Sequence, residues 1–166
     1  MEGNALIIPV QLPEPLEAIR QQYDPVGCTI PAHITVSYPF AGPSEQVRMS
    51  LELTQLASQF DQGEQAIVIF RLRHSRHLMH LFDEVWTRFA QYPPYQGQHR
   101  AIIPHITIAR LSASSMDMFG QVSQMVNAYQ SQLSWRVNHL MWVISGDELQ
   151  VNPRQFIFPF KGVYMP

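Results

Sequence analysis

Cysteine and glycine are scarce in this chain, and each scarcity excludes a class of protein. Cys28 is the only cysteine among 166 residues, so the chain can form no internal disulfide, as is typical of proteins from a reducing compartment. The 8 glycines include no glycine-rich phosphate-binding loop, which disfavours a dinucleotide-binding or P-loop fold. We therefore expect a cytoplasmic protein of another fold class.

Charged residues are also few, and neither sign dominates. They make up 14% of the chain, with 11 basic and 13 acidic side chains and a formal net charge of −2. Proteins that hold long nucleic acids usually carry a basic face, because contacts to phosphate supply most of their affinity. The sequence therefore predicts that the protein does not bind extended RNA or DNA. A small nucleotide or the end of a strand is still a possible partner.

Long apolar runs are absent as well. No stretch approaches the length of a membrane span, and the run at 5–10 is too short for a signal-peptide core with its flanks. Apolar residues still make up 46% of the chain, which is enough for the core of one domain spanning 1–166. No coiled-coil repeat demands assembly, so we expect a monomer that does not bind membranes.

Hydrophobic periodicity predicts alternating strands and helices. The predicted strands lie at 5–10, 33–40, 66–70, 101–110, 135–145 and 155–164. The predicted helices lie at 14–22, at 44–60 with Ser44 as N-cap, at 77–91, and after Ser114. This order resembles a rough duplication, which indicates an α+β fold with two similar lobes, and a cleft between the strands at 33–40 and 101–110.

Those two strands repeat one pattern. Residues 31–36 read Pro-Ala-His-Ile-Thr-Val, and residues 104–108 read Pro-His-Ile-Thr-Ile. Alternation of this kind is typical of a half-buried strand, in which residues i and i+2 share one face. Each motif therefore presents a histidine and a threonine together, and the four side chains are His33, Thr35, His105 and Thr107.

If the two strands lie side by side, two imidazoles and two hydroxyls line one cleft. The imidazoles can move protons on either side of a bound anion, because the unperturbed histidine pKa lies near operating pH. The hydroxyls can donate hydrogen bonds to that anion. The near symmetry of the motifs leaves open which histidine is the base and which the acid.

Neighbouring residues give weaker signals. Ser37 shares the strand parity of His33, so it is a candidate for the cleft, although an ordinary solvent-facing serine is an equal alternative. Arg110 could bind phosphate, but strict alternation places it on the face opposite His105, so it needs a bend at the strand end. The parity of Tyr38 and Phe40 favours core packing over stacking on a base.

Two other groupings of side chains offer rival chemistry. His74, His77 and His80 recur at steps of three, which suggests a metal site, but on a helix the outer two diverge by about 120°. A solvated basic turn, or a rim for anions, is the favoured interpretation. Cys28 lies close to His33 in sequence, and an incidental thiol is favoured there over a nucleophile.

The paired His-x-Thr motifs, about seventy residues apart, resemble those of the 2H phosphoesterase superfamily. The bacterial 2′,5′-RNA ligase and cyclic phosphodiesterase group is the most similar branch, since Ala109 and Arg110 extend the second motif as in that group's second signature. The resemblance implies a two-lobed fold and metal-independent opening of 2′,3′-cyclic phosphates without a cofactor. The substrates would be nucleotides or RNA ends, and a 2′,5′-RNA ligase activity at the same cleft stays open.

Residue roles follow from the same resemblance. It implies that His33 and His105 are the acid/base pair and that Thr35 and Thr107 hold the phosphate. The alternative is a catalytically silent protein of the same fold that binds nucleotides or RNA ends. The completeness of both motifs disfavours that alternative.

Overall fold

The computed structural model describes residues 4–24, 27–59, 65–66, 76–98, 103–111, 113–129, 135–144 and 153–161. Within these ranges the fold is α+β with antiparallel sheets, which confirms the predicted class. The strands are β1 (Ala5–Pro9), β2 (His33–Ser37), β3 (Gln65–Ala66), β4 (Trp135–Arg136), β5 (His139–Ile144) and β6 (Arg154–Pro159). The α-helices are α1 (Glu14–Tyr23), α2 (Gln46–Ala57), α3 (Arg76–Arg88) and α4 (Phe119–Tyr129). None of these helices is long and apolar enough to span a bilayer.

The main sheet has the strand order β2-β1-β5-β6, and β3 pairs with β4 in a separate two-stranded sheet. The apolar sequence of β1 suits its place between two partners, because a central strand is buried on both faces. One face of the main sheet carries the larger core. All four α-helices turn apolar residues at steps of three and four toward that core, among them Leu16, Leu53, Phe82 and Val126.

The opposite face of the sheet carries only a small apolar cluster, formed by Ala5, Ile7, Ile30, Met141 and Val143. Thr35 on β2 is the cross-strand partner of Ile7, so the Thr35 side chain projects to this second face. We call it the cleft face. The apolar stripes of the four helices pack on the other side of the sheet.

Element boundaries differ from the sequence predictions in several places. Residues 103–111 form no regular strand, and their link to the main sheet is a bridge between Ile106 and Ile34. Helix α2 begins at Gln46 after a 3-10 turn at Pro43–Glu45, with no side-chain cap from Ser44. The predicted strand at 66–70 lies mostly outside the described residues. A 3-10 turn at Ala113–Met118 precedes α4.

Candidate active site

The bridge between Ile34 and Ile106 brings the two motifs together. Ile34 pairs with Ile8 of β1 on one side, so the second motif lies along the free edge of β2. The bridge is antiparallel. In that register His33 lies opposite Thr107, and Thr35 lies opposite His105.

Burial alternates along both motifs as the sequence pattern predicts. Ile34 and Ile106 are buried in the core on the helix side. Their neighbours His33, Thr35 and Thr107 are half-buried, and His105 is exposed. The histidines and threonines of both motifs therefore project from the cleft face, where each histidine neighbours the other motif's threonine.

Both imidazoles are held by the same hydrogen bond. His33 Nδ1 lies 2.8 Å from the carbonyl oxygen of Pro31, and His105 Nδ1 lies 2.9 Å from the carbonyl oxygen of Ile103. A carbonyl can only accept, so each Nδ1 must be the protonated nitrogen of its ring. Each Nε2 is therefore left to exchange a proton with a bound molecule.

The two histidines differ in their surroundings. Burial lowers the pKa of His33 below its usual value, although the hydrogen bond to Pro31 opposes this. The positive charges of Arg20 and Arg110 lower that pKa further, while Asp24 raises it. His33 is therefore kept neutral near pH 7, whereas His105 is exposed to solvent. This difference breaks the symmetry that the sequence suggests.

Arg110 lies at the point where the second motif leaves the sheet. Its backbone N–H donates to the carbonyl of Tyr23 at 2.9 Å, which holds this part of the chain to the end of α1. The side chain is 53% exposed, with Nε 3.9 Å from Oδ1 of Asp24. Its charge acts on the pKa of His33, and it also opposes the rise that burial causes in the pKa of Tyr95. The guanidinium is therefore within electrostatic range of the His33 ring.

The last turn of α1 supports both motifs, and sequence analysis missed this. Arg20 is buried and donates from Nη1 to the carbonyl of Gly27 at 3.1 Å and from Nη2 to that of Ile30 at 2.5 Å. Its Nε lies 3.5 Å from Oδ2 of the buried Asp24. Arg20 thus ties down the loop that leads into His33. The i,i+4 spacing of Arg20 and Asp24 was the available signal, but such pairs usually lie on exposed helix faces.

The same loop needs glycine at position 27. A Cβ atom there would lie 2.4 Å from the carbonyl oxygen of Arg20, which is closer than packed atoms can approach. The backbone N–H of Gly27 donates to the carbonyl of Asp24 at 2.8 Å. Close packing of the loop on the end of α1 therefore brings the loop carbonyls within reach of the Arg20 guanidinium.

The structure corrects the prediction that Ser37 is a candidate for the cleft. It is fully buried, and its hydroxyl donates to the carbonyl of Tyr92 at 2.9 Å. The register between β1 and β2 shifts by one residue, so Ile7 faces Thr35 but Leu6 faces Ser37. An irregularity of this kind reverses the parity of every later residue. Ser37 accordingly turns away from the cleft face.

Tyr38 and Phe40 lie beyond the end of β2 and pack on different faces of the sheet. Phe40 is buried in the core on the helix side, where it packs edge-on against Phe89 and Trp142. Tyr38 instead packs against the small apolar cluster of the cleft face. Core packing was the favoured interpretation for both residues, and for Tyr38 the structure changes which face it packs on.

The rival groupings gain no support from the geometry. His77 and His80 are exposed on α3, and His74 lies outside the described residues. Among the residues that the structure describes, no group of three or more His, Cys, Asp or Glu side chains is placed to hold a metal ion. Cys28 is exposed, and its Sγ lies 3.8 Å from the carbonyl oxygen of Gln21.

Removing the motif hydroxyls tests the proposed role of the threonines. Thr35→Val and Thr107→Val keep the shape of the side chain and delete its donor, so each should lower kcat/KM by about 10- to 150-fold, as expected for a hydrogen bond to a charged group worth roughly 1.5–3 kcal/mol. Steady-state kinetics on a cyclic phosphate substrate measures the loss. Thr54→Val on the exposed surface of α2 is the matched control. Unchanged kinetics in both motif variants would contradict a phosphate-holding role.

Comparison with known proteins identifies the family. The sequence model described as the 2′-5′ RNA ligase superfamily matches residues 8–148. The chain therefore belongs to this superfamily, and the resemblance to the 2H phosphoesterases is confirmed. It is also 28% identical, over 149 residues, to a Bacillus cytotoxicus protein named as a putative phosphoesterase, covering 81% of this chain and 83% of that protein.

A solved structure from yeast is also similar. The structure of Kluyveromyces marxianus Usb1 matches 95% of this chain and 97% of its own, with 13% sequence identity and a TM-score of 0.49.

Proposed function

We propose that this protein is a metal-independent phosphodiesterase that opens 2′,3′-cyclic phosphates of nucleotides or RNA ends. The observation that carries the proposal is the antiparallel pairing of the two motifs, which puts two Nδ1-anchored imidazoles and two threonines on one face. Membership of the 2′-5′ RNA ligase superfamily supports phosphoester chemistry at this site. Formation of a 2′,5′ linkage would use the same groups in the reverse direction.

His33 is the proposed general base of the hydrolysis, since its lowered pKa keeps Nε2 free to accept a proton. It takes a proton from water as the water oxygen attacks phosphorus in line. The bond from phosphorus to one ribose oxygen breaks, and His105 Nε2–H gives that oxygen a proton. The product is a phosphomonoester with one free ribose hydroxyl, and the two imidazoles end with exchanged protonation states.

The remaining groups stabilise charge on the phosphate. The Thr35 and Thr107 hydroxyls donate to the non-bridging oxygens, beside the histidines that move protons. Arg110 supplies a positive charge at the edge of the site, where its exposed side chain lies near Asp24. Charge-assisted hydrogen bonds from a guanidinium to phosphate are among the stronger ones that proteins make.

Turnover of the four nucleoside 2′,3′-cyclic monophosphates in excess EDTA tests this function. Hydrolysis that survives the chelator supports the two-histidine mechanism, and the product isomer shows which ester bond breaks. Loss of turnover on chelation would overturn the metal-independent mechanism. If none of the four turns over, RNA ends with a terminal cyclic phosphate are the next substrates. Binding without turnover of those would indicate the silent nucleotide-binding protein instead.

The pH dependence of kcat/KM should be bell-shaped. Activity falls at low pH when His33 becomes protonated, and because its pKa is lowered, this limb lies below about 6.5, the unperturbed histidine value. Activity also falls at high pH, because the proposed general acid must carry a proton to give. The residual activity of His33→Ala should lack the acid limb, and that of His105→Ala should lack the alkaline limb. The opposite assignment of limbs would exchange the two roles.

A further inference from the structure

A groove of about 560 Å³ opens beside His33, at the end of the main sheet where β1 finishes and β5 begins. The lining residues that matter here are Pro9, Pro31, Trp135, Arg136, Asn138 and His139. We call it the His139 groove. Neither the motifs nor the proposed mechanism uses it.

Strand register connects this groove to the site. Pro9 is the cross-strand partner of His33. On its other side β1 pairs with β5, and there Ile7 faces Met141. Continuing this register by two residues pairs Pro9 with His139, so Pro9 lies between His33 and His139. Adjacent strands lie about 4.8 Å apart, so His33 and His139 are about 10 Å apart on the cleft face. That spacing lets one nucleotide reach from the reacting phosphate into the groove.

The groove presents an aromatic ring in a fixed position. Trp135 is half-buried, and its indole N–H donates to the backbone carbonyl of Gln11. This bond holds the ring before a ligand arrives, so little side-chain freedom is lost on binding. A fixed aromatic face is the surface on which nucleobases stack, whatever their sequence.

Polar groups lie beside this ring. Asn138 lines the groove, and its solvent-inaccessible Oδ1 has no hydrogen-bond partner among the described residues, so a turn of this side chain on binding would let Oδ1 accept from a ligand N–H or O–H. His139 is half-buried, and burial lowers its pKa, so near pH 7 the neutral ring offers one donor and one acceptor. Arg136 is exposed at the groove and adds positive charge.

We propose that the His139 groove binds the nucleoside that carries the reacting phosphate, with its base stacked on Trp135 and its polar edge facing Asn138 and His139. This inference rests on the proposed function for the position of the phosphate. It extends that function by assigning the contacts that would separate nucleotides from other cyclic phosphates.

Two other grooves fit a nucleoside less well. One, of about 540 Å³, includes Thr107 of the second motif, but the rest of its lining is mostly apolar and comes from Ile106, Ile108 and α4. The other is lined in part by Glu14 and Glu17, whose charge repels a nucleotide. The His139 groove combines an aromatic ring, a polar side chain and a cation beside Pro9, the residue of β1 that pairs with His33.

The test compares a cyclic phosphate that carries a nucleobase with a cyclic phosphate that carries none. The substrates are adenosine 2′,3′-cyclic phosphate and 1-O-methylribose 2′,3′-cyclic phosphate. In Trp135→Ala the preference for adenosine in kcat/KM should fall by roughly 5- to 150-fold, the range that base stacking supplies. Turnover of the base-free substrate should not change. Trp135→Phe keeps an aromatic face and should restore most of the preference. An unchanged preference in Trp135→Ala would overturn the inference.

Calorimetric binding of adenosine 3′-monophosphate separates this inference from the proposed function. The wild type could hydrolyse neither substrate and still bind the nucleotide, with an affinity that Trp135→Ala lowers. That result would support the groove assignment and contradict the phosphodiesterase proposal. If Trp135→Ala binds like the wild type, the groove assignment fails. Asn138→Ala gives a second variant should Trp135→Ala not fold, and binding equal to the wild type would again contradict the assignment.

Discussion

Replacing His33 or His105 by alanine should lower kcat/KM for cyclic phosphates by at least about 10²- to 10⁴-fold, the usual contribution of a positioned acid or base. Each imidazole is anchored at Nδ1, so alanine removes the Nε2 atom that is proposed to transfer the proton. The two residues act in one proton-transfer sequence. The double variant should therefore lose much less than the product of the two single losses.

His80→Ala is the matched control, because His80 is an exposed histidine on α3 that belongs to the rival histidine grouping. It should retain wild-type kinetics with and without EDTA. Circular dichroism of each variant separates lost chemistry from lost folding. Activity that persists in the His33→Ala, His105→Ala double variant, or that disappears in His80→Ala, would refute the two-histidine mechanism.

Arg20→Met should lower the free energy of unfolding by roughly 3–5 kcal/mol, the usual cost of breaking a buried ion pair. The methionine fills most of the volume but removes the guanidinium 3.5 Å from the buried Asp24 carboxylate, which keeps the longer contact to Arg110. The carbonyls of Gly27 and Ile30 lose their donors as well. Urea unfolding measures the effect. For a chain of this size each kcal/mol also lowers Tm by about 2–4 °C.

A second arginine provides an unusually close control. Arg48 has the same arrangement of partners as Arg20, with a glutamate three residues before it and an acidic residue four residues after it. The Arg20 side chain is 1% exposed, whereas that of Arg48 is 51% exposed. Arg48→Met should unfold close to the wild type, because exposed ion pairs are screened by water and salt. Equal losses in the two variants would contradict the role assigned to burial.

The residues of the candidate site were predictable because short-range alternation determines which side chains share a face. His33 and Thr35 are two residues apart on a strand, and their shared face needs no tertiary information. The same holds for His105 and Thr107, even though their segment forms only a bridge to the main sheet. Apolar stripes at helical spacing similarly indicated the four α-helices, with end positions that differ by a few residues.

The predictions for Ser37 and Arg110 show where such reasoning stops. Parity places Ser37 beside Thr35, but the register shift opposite Leu6 turns it into the core. Parity also places Arg110 away from His105. The chain at Arg110 is hydrogen-bonded to Tyr23, and the Arg110 charge still acts on the pKa of His33. A bulge or a contact of this kind depends on partners that are distant in sequence, so local pattern does not reveal it.

The sequence by itself determined which side chains form the candidate site, through two His-x-Thr motifs whose side-chain directions follow from backbone geometry. Only the tertiary structure decided how the two histidines differ. Burial and the charges of Arg20, Arg110 and Asp24 act on His33, whereas His105 lies exposed. These groups come from separate segments, and pKa values depend on distances in space. Folding therefore distinguishes two histidines that the sequence leaves nearly symmetric, and this difference is the basis of the proposed base and acid roles.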